Sequence, residues 1–118
     1  MAAPESTLAA VLHAVCPRVY PDANTAGKPE TTYIVWTQVG GQVIDTVNDP
    51  ADLHHARIQI AVWGPRRTHA NALMRQAEAA MRAATVFQAK PIGGLIAHFD
   101  PDTELRGALQ DFAVWYRL

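Results

Sequence analysis

The sequence predicts an α+β fold, with a mostly antiparallel sheet of four to five strands and two helices packed on one of its faces. Three observations predict it. Residues 56–63 alternate, with Ala56, Ile58, Ile60 and Val62 on one side and Arg57, Gln59, Ala61 and Trp63 on the other. That is the period of a half-buried strand. Gly64–Pro65 stops it, because proline cannot donate to a sheet ladder. From about Thr68 the period changes, and Ala70, Leu73, Ala77, Ala80/Met81 and Ala84 recur at three and four. This is an amphipathic helix of strong helix formers, able to lie across the strand's apolar face. Finally, 118 residues that are 49% hydrophobic and 18% charged make one globular domain over residues 1–118. A chain of that size buries roughly two-thirds of the surface its unfolded form exposes.

Taken in order, Ser6 or Thr7 is placed to cap a first helix whose stripe is Leu8, Val11, Leu12 and Val15. Cys16–Pro17 ends it, since the residue before proline avoids the α region. Arg18–Tyr20 is a brief extended piece, and residues 21–31 read as a loop with two prolines, a glycine and an asparagine. Thr32–Val39 is a strand of aromatic and β-branched residues. Gly40–Gly41 begins a turn, Val43, Ile44 and Val47 extend a hairpin arm, and Asp49–Pro50 breaks it. The connection between the second and third strands is long enough to be read as mobile or functional. After the long helix, Lys90–Pro91 is a break, Gly93–Gly94 a bulge, and Leu95–Phe99 a short strand. A polar turn, residues 100–106, leads to a last strand, Gly107–Tyr116. Gln110, Phe112, Val114 and Tyr116 fall on one of its faces, and Leu109, Asp111, Ala113 and Trp115 on the other. The order is α-β-β-β-α-β-β.

Composition disfavours several classes of function. A net charge of −1 gives no electrostatic footprint for nucleic acid. One cysteine, Cys16, forms no intrachain disulfide and suits a reducing compartment. No apolar run approaches the ~18 residues of a membrane span. The start lacks the basic flank and apolar core of a signal peptide, so the expected compartment is a cytoplasm.

Residues with chemical potential each have an ordinary structural explanation. His54–His55 are adjacent and would point to opposite sides of an extended segment, in what reads as a loop. His98-Phe99-Asp100 reproduces half of a two-histidine, one-carboxylate iron site, but no distal histidine follows. Cys16 ends an apolar helix, where a buried thiol is inert. Asp100, Asp102 and Glu104 crowd a solvated turn and form no acid–base pair. The reading therefore names no catalytic, cofactor or metal residue. Arg66–Arg67 oppose the dipole at the start of the long helix and would suit an acidic partner. Trp63 and Trp115 fall on the sheet face opposite the aliphatic one. If the helices cover the latter, the two rings either cluster on an open surface suited to a protein partner or are buried by the curl of the sheet itself.

Three blocks, VYPDANTAGKPETTYIVW, ARIQIAVWGPRRTHANALMRQAEAAM and DPDTELRGALQDFAVWYR, stand in order along the chain. Together they resemble the small tail-completion (tail-terminator-like) proteins of long-tailed bacteriophages and prophages. Thr31–Thr32 departs from that pattern, which often has Leu-Pro before the tyrosine. The resemblance implies a structural protein with no catalytic residue and no cofactor. It further implies a ring, commonly of six copies, at the head-proximal end of the tail tube, which ends tube polymerisation and joins the head connector. The implied partners are itself, the tail-tube protein and the head–tail connector, with no direct nucleic-acid readout and no membrane. The implied location is the bacterial host cytoplasm during assembly, then the virion. A free subunit is compatible with a monomer whose 40–55 arm orders on meeting a neighbour. The residues expected to make assembly contacts are Gln42, Val43, Ile44, Asp45, Thr46, Val47, Trp63, Arg66, Arg67 and Trp115. The competing reading is a small cytosolic α+β enzyme or ligand-binding domain acting as a dimer; the lack of convergent polar residues at strand ends disfavours it.

Overall fold

The computed structural model describes residues 4–23, 32–41 and 53–117. Its elements are α1 (Pro4–His13), β1 (Val19–Pro21), β2 (Tyr33–Gln38), β3 (Leu53–Gly64), α2 (Arg67–Ala83), β4 (Gln88–Asp100) and β5 (Leu105–Arg117). They follow the expected order, α-β-β-β-α-β-β. The five strands make one sheet in the order β1-β2-β3-β5-β4. The sheet is mixed: β1 runs parallel to β2, and every other pair is antiparallel. The long connection between β2 and β3, with its expected hairpin arm, lies outside the described residues.

The helices cover one face. Ile34, Trp36, Ala56, Ile58, Ile60, Val62, Ala108, Phe112 and Val114 point into a core closed by Leu8 and Leu12 of α1 and by α2. Each large side chain removed from water there contributes about 1.5–3 kcal/mol. α2 buries Ala70, Met74, Ala77 and Met81. Leu73, expected in that stripe, packs against the core only in part. The covered arc is rotated toward Met74 because the sheet, not the sequence pattern, decides where the stripe is centred.

Other boundaries differ from expectation for local reasons. α1 starts at Pro4, so Ser6 and Thr7 lie inside it. Proline's fixed φ and missing N–H suit the first turn. β3 begins at Leu53 and takes in His54 and His55, which are therefore strand residues rather than a loop. They do point to opposite faces: His54 stacks on Tyr116 at 5.4 Å and His55 tilts against Trp115 at 4.9 Å. β4 is a continuous 13-residue strand rather than the short 95–99 piece. Pro91 does not break it, because an outermost strand has a side on which no N–H is required.

Ladder bonds continue past the end of β2. The Val39 N–H donates to the Arg57 carbonyl at 2.8 Å, and the Arg57 N–H to the Gly40 carbonyl at 2.7 Å. Gly41 then passes so close to the His55 carbonyl that a Cβ there would collide with it.

Candidate assembly surface

With both helices on one side, the other face of the sheet has no helix over it among the described residues. Cross-strand register sorts that open face into rows. One row runs His98, Gly107, Trp63, Tyr33. The next runs Ile96, Leu109, Ala61, Val35, Tyr20. Further along come Ile92, Asp111, Gln59 and Thr37, and then Lys90, Ala113 and Arg57. The first two rows are aromatic and aliphatic; the others are increasingly charged.

The aromatic side chains partly cover this face themselves. Trp63, half-buried, lies over Gly107, where a Cβ would meet its ring at 2.7 and 2.8 Å. His98 meets the same indole edge-on, with centroids 5.6 Å apart. Tyr20 and Tyr33 form a second edge-on pair at 6.1 Å. In the charged region Arg57 donates from both Nε (2.8 Å) and Nη2 (2.7 Å) to Asp111 Oδ2.

Trp63 and Trp115 do share the open face, as expected, but they do not cluster. Trp63 pairs with Gly107 and Trp115 with His55, eight residues further along β5. At about 3.3 Å per residue the two indoles stand roughly 26 Å apart. Arg66 and Arg67 are exposed at the start of α2. Arg66 takes the N-cap position in an extended conformation without a side-chain cap, and the first turn holds no acid. Gln42, Val43, Ile44, Asp45, Thr46 and Val47 lie outside the described residues.

The most exposed apolar surface is one the sequence reading missed. Among the described residues, six large hydrophobic side chains are exposed, and four of them sit on β4: Ile92, Leu95, Ile96 (62%) and Phe99. β4 is the last strand of the sheet, so one of its backbone edges has no neighbour among the described residues. From Ile92 to Phe99 both faces of the strand are exposed. Arg106 lies 4.3 Å from the centre of the Phe99 ring at the outer corner. The signal available in the sequence was the uncharged run PIGGLIAHF between Lys90 and Asp100.

A β-bulge organises this strand. Ile92 pairs with Asp111 but Ile96 with Leu109, so β4 holds two more residues than β5 over that interval. Gly93, at φ +69°, takes the turn that a side chain resists. Gln110, the one buried polar residue of those described, fastens the bulge from the core side. Its Nε2 donates to the carbonyls of Gly93 (2.9 Å) and Ile92 (3.2 Å).

Two hollows lie among the described residues. A cavity of about 20 Å³, room for one water, lies among Leu8, Trp36, Gln38, Phe87 and Tyr116. Trp36 Nε1 is buried without a hydrogen-bond partner among the described residues. A shallow open groove between the end of α1 and α2 is bordered by Cys16, Arg18, Thr32 and His69. Two of its polar groups are engaged with backbone: Arg18 Nε donates to the Thr32 carbonyl at 2.9 Å, and Cys16 Sγ donates to the Arg18 carbonyl at 3.4 Å. His98 packs on Trp63, while Asp100 accepts the Asp102 N–H at 3.0 Å in its own turn. Among the described residues no three His, Cys, Asp or Glu side chains group as metal ligands. None of the helices described is long and apolar enough to cross a membrane.

Among the described residues, an exposed apolar end strand and a sheet face without helices over it are features of a protein that meets other proteins. The family described as Tail completion protein gp17 matches residues 2–117. This puts the chain among the structural proteins of bacteriophage tails. Within that class it belongs to the tail completion protein gp17 family. No curated protein sequence matches it. Among solved structures it is similar to a crystal structure of an Akkermansia muciniphila protein, with TM-score 0.52 and 10% identity over 96% of this chain and 49% of that one. A second Akkermansia muciniphila structure, determined without its transmembrane region, matches with TM-score 0.37 and 11% identity, over 74% and 42% of the two chains. The chain thus spans about half the length of the structures it matches, and the first of them supports the fold alone.

Proposed function

We propose that this protein closes the head-proximal end of the tail tube, ends tube polymerisation and joins the tail to the head connector as a ring of identical subunits, six being the expected number. The observation that carries the reading is the family match across nearly the whole chain. The apolar, unpaired edge of β4 supports it, because a monomer that exposes such an edge gains by covering it. The partners are further copies of the chain, the tail-tube protein and the connector. Assembly takes place in the host cytoplasm and the ring ends at the head–tail junction of the virion. Residues 42–47, Trp63, Arg66, Arg67 and Trp115 are assigned to assembly contacts. The separation of Trp63 and Trp115 along the sheet suits a subunit that touches several neighbours at once.

Electron microscopy of particles from a strain lacking the gene tests this. Tailless heads, or tails of uncontrolled length, are the expected result. Normal virions would remove the assignment.

A further inference from the structure

We infer that, before it meets the tail, this protein pairs with a second copy of itself edge to edge, β4 against β4 and antiparallel, about a two-fold axis at Ala97. The inference goes beyond the reading above, which concerns the finished junction, and stands or falls apart from it. Among the described residues β4 ends the sheet on an unpaired edge. Pro91 and the bulge at Gly93 make the first half of that edge irregular, two ordinary guards against strand addition. Beyond the bulge the register with β5 is unbroken, from Ile96 to Asp100, and Leu95 to Phe99 are exposed. An edge of this kind is a template for another strand: main-chain hydrogen bonds supply affinity and alternate side chains supply fit. The opposite edge of the sheet does not offer the mate, since β1 is three residues long and ends in Pro21.

The charges decide that the occupant is a second copy, and which way it lies. Asp100, Asp102 and Glu104 crowd the turn at one end of the strand, and Arg106, over Phe99, offsets one of them. At the other end stands Lys90, exposed. The other charged groups near it are engaged with each other, Asp111 with Arg57 and Glu78 with Arg82. Lys90 pairs with Ala113 and Ala97 with Ala108, so Lys90 lies five β5 positions from Ala97, about 16 Å. Asp100 pairs with Leu105, three positions to the other side, about 10 Å, and the acidic turn begins there. A two-fold axis at Ala97 therefore sets each Lys90 beside the acidic turn of the other copy, twice in each pair. Parallel strands would instead set the two acidic turns side by side, where like charges repel.

The same axis matches the apolar groups. Leu95 of one copy lies opposite Phe99 of the other on the helix side, and Ile96 opposite His98 on the open side. Leu95, Ala97 and Phe99 are exposed, so α2 does not stand in the way. The two sheets join into one of ten strands. A pair of this symmetry uses up the edge and closes on itself, which keeps free subunits from stringing together before a tail is ready to receive them.

Sedimentation of the purified full-length chain over a range of concentration tests this. A mass rising to twice that of one chain is expected; a monomer throughout, or larger assemblies alone, would overturn the inference. Ala97→Asp sets two carboxylates face to face at an exposed position. It is expected to keep a folded circular-dichroism spectrum and the mass of one chain, and a dimer that persists would overturn the inference. Ala97→Cys in a Cys16→Ala background, treated with a bis-maleimide of about 8 Å span, is expected to link chain to chain. Thr103→Cys in the same background is expected not to link, because the two turns lie at opposite ends of the pair. A dimer without the link at 97, or with one at 103, would overturn the inference. Lys90→Glu reverses two contacts at once and is expected to weaken the pair roughly tenfold; an unchanged dimer would overturn the antiparallel arrangement. Normal virions from the deletion strain would defeat the tail reading and leave this one standing.

Discussion

Replacing Gln110 by methionine isolates the fastening of the β4 bulge. Methionine has nearly the volume of glutamine, so packing against Ile60 and Phe112 is kept while the donor is lost. Gln110 is 6% exposed, and its Nε2 meets the Gly93 and Ile92 carbonyls at 2.9 and 3.2 Å. Each such bond contributes about 0.5–1.5 kcal/mol net. Gly93 and Ile92 stand on an exposed stretch of strand, so water re-solvates much of what they lose. The expected destabilisation for Gln110→Met is about 1–2 kcal/mol, a drop of roughly 3–10 °C in Tm for a chain of this length. Urea unfolding at constant m-value gives the free energy. Amide exchange supplies the location: protection across residues 94–97 falls more than protection in α2 or β3. A loss below about 0.3 kcal/mol, or exchange that rises uniformly through the sheet, would refute the reasoning.

Gly107→Ala puts a methyl 2.7–2.8 Å from the Trp63 ring and is expected to cost about 1–3 kcal/mol in urea unfolding; the added substitution Trp63→Leu should recover part of that loss. Met81→Ala, at a fully buried position of α2, is expected to cost about 2–5 kcal/mol, read as a lowered thermal midpoint. Glu104→Gly relaxes a residue held at φ +59° at the end of the β4–β5 turn and should leave stability unchanged or raise it by up to about 1 kcal/mol. Arg57→Ala breaks the bond to Asp111, yet with the arginine 47% exposed the loss should stay within about 1 kcal/mol and shrink further in 1 M salt.

The parts of the fold legible in the sequence are those where one periodicity runs unbroken. Residues 56–63 alternate and residues 67–83 recur at three and four, so β3 and α2 were expected nearly where they lie. The two faces of β5 were also readable, because Phe112 and Val114 alternate with Asp111 and Ala113. β4 was not, since Pro91 and Gly93–Gly94 look like stops, and only the sheet order reveals a lateral position where proline and a bulge are tolerated. The parallel pairing of β1 with β2 is not encoded in three residues of strand. The open-face positions of Trp63 and Trp115 followed from parity. The distance between them depends on which residues of β3 and β5 pair, and the exposure of Ile96 and Phe99 on the place of β4 at the end of the sheet; both are properties of the assembled sheet.

The count of residues in the β4 bulge has a consequence for the hairpin's tolerance of insertion and deletion. Two extra residues is an even number, so Ile92 and Ile96 stay in phase and both look away from the helices. Deleting one glycine of the Gly93–Gly94 pair would invert every side chain from Leu95 to Phe99, turning His98 toward the helix side and Phe99 toward Trp63. Deleting both would restore the phase and leave a flat ribbon without its kink. The doublet is therefore a unit that natural drift must keep or lose whole.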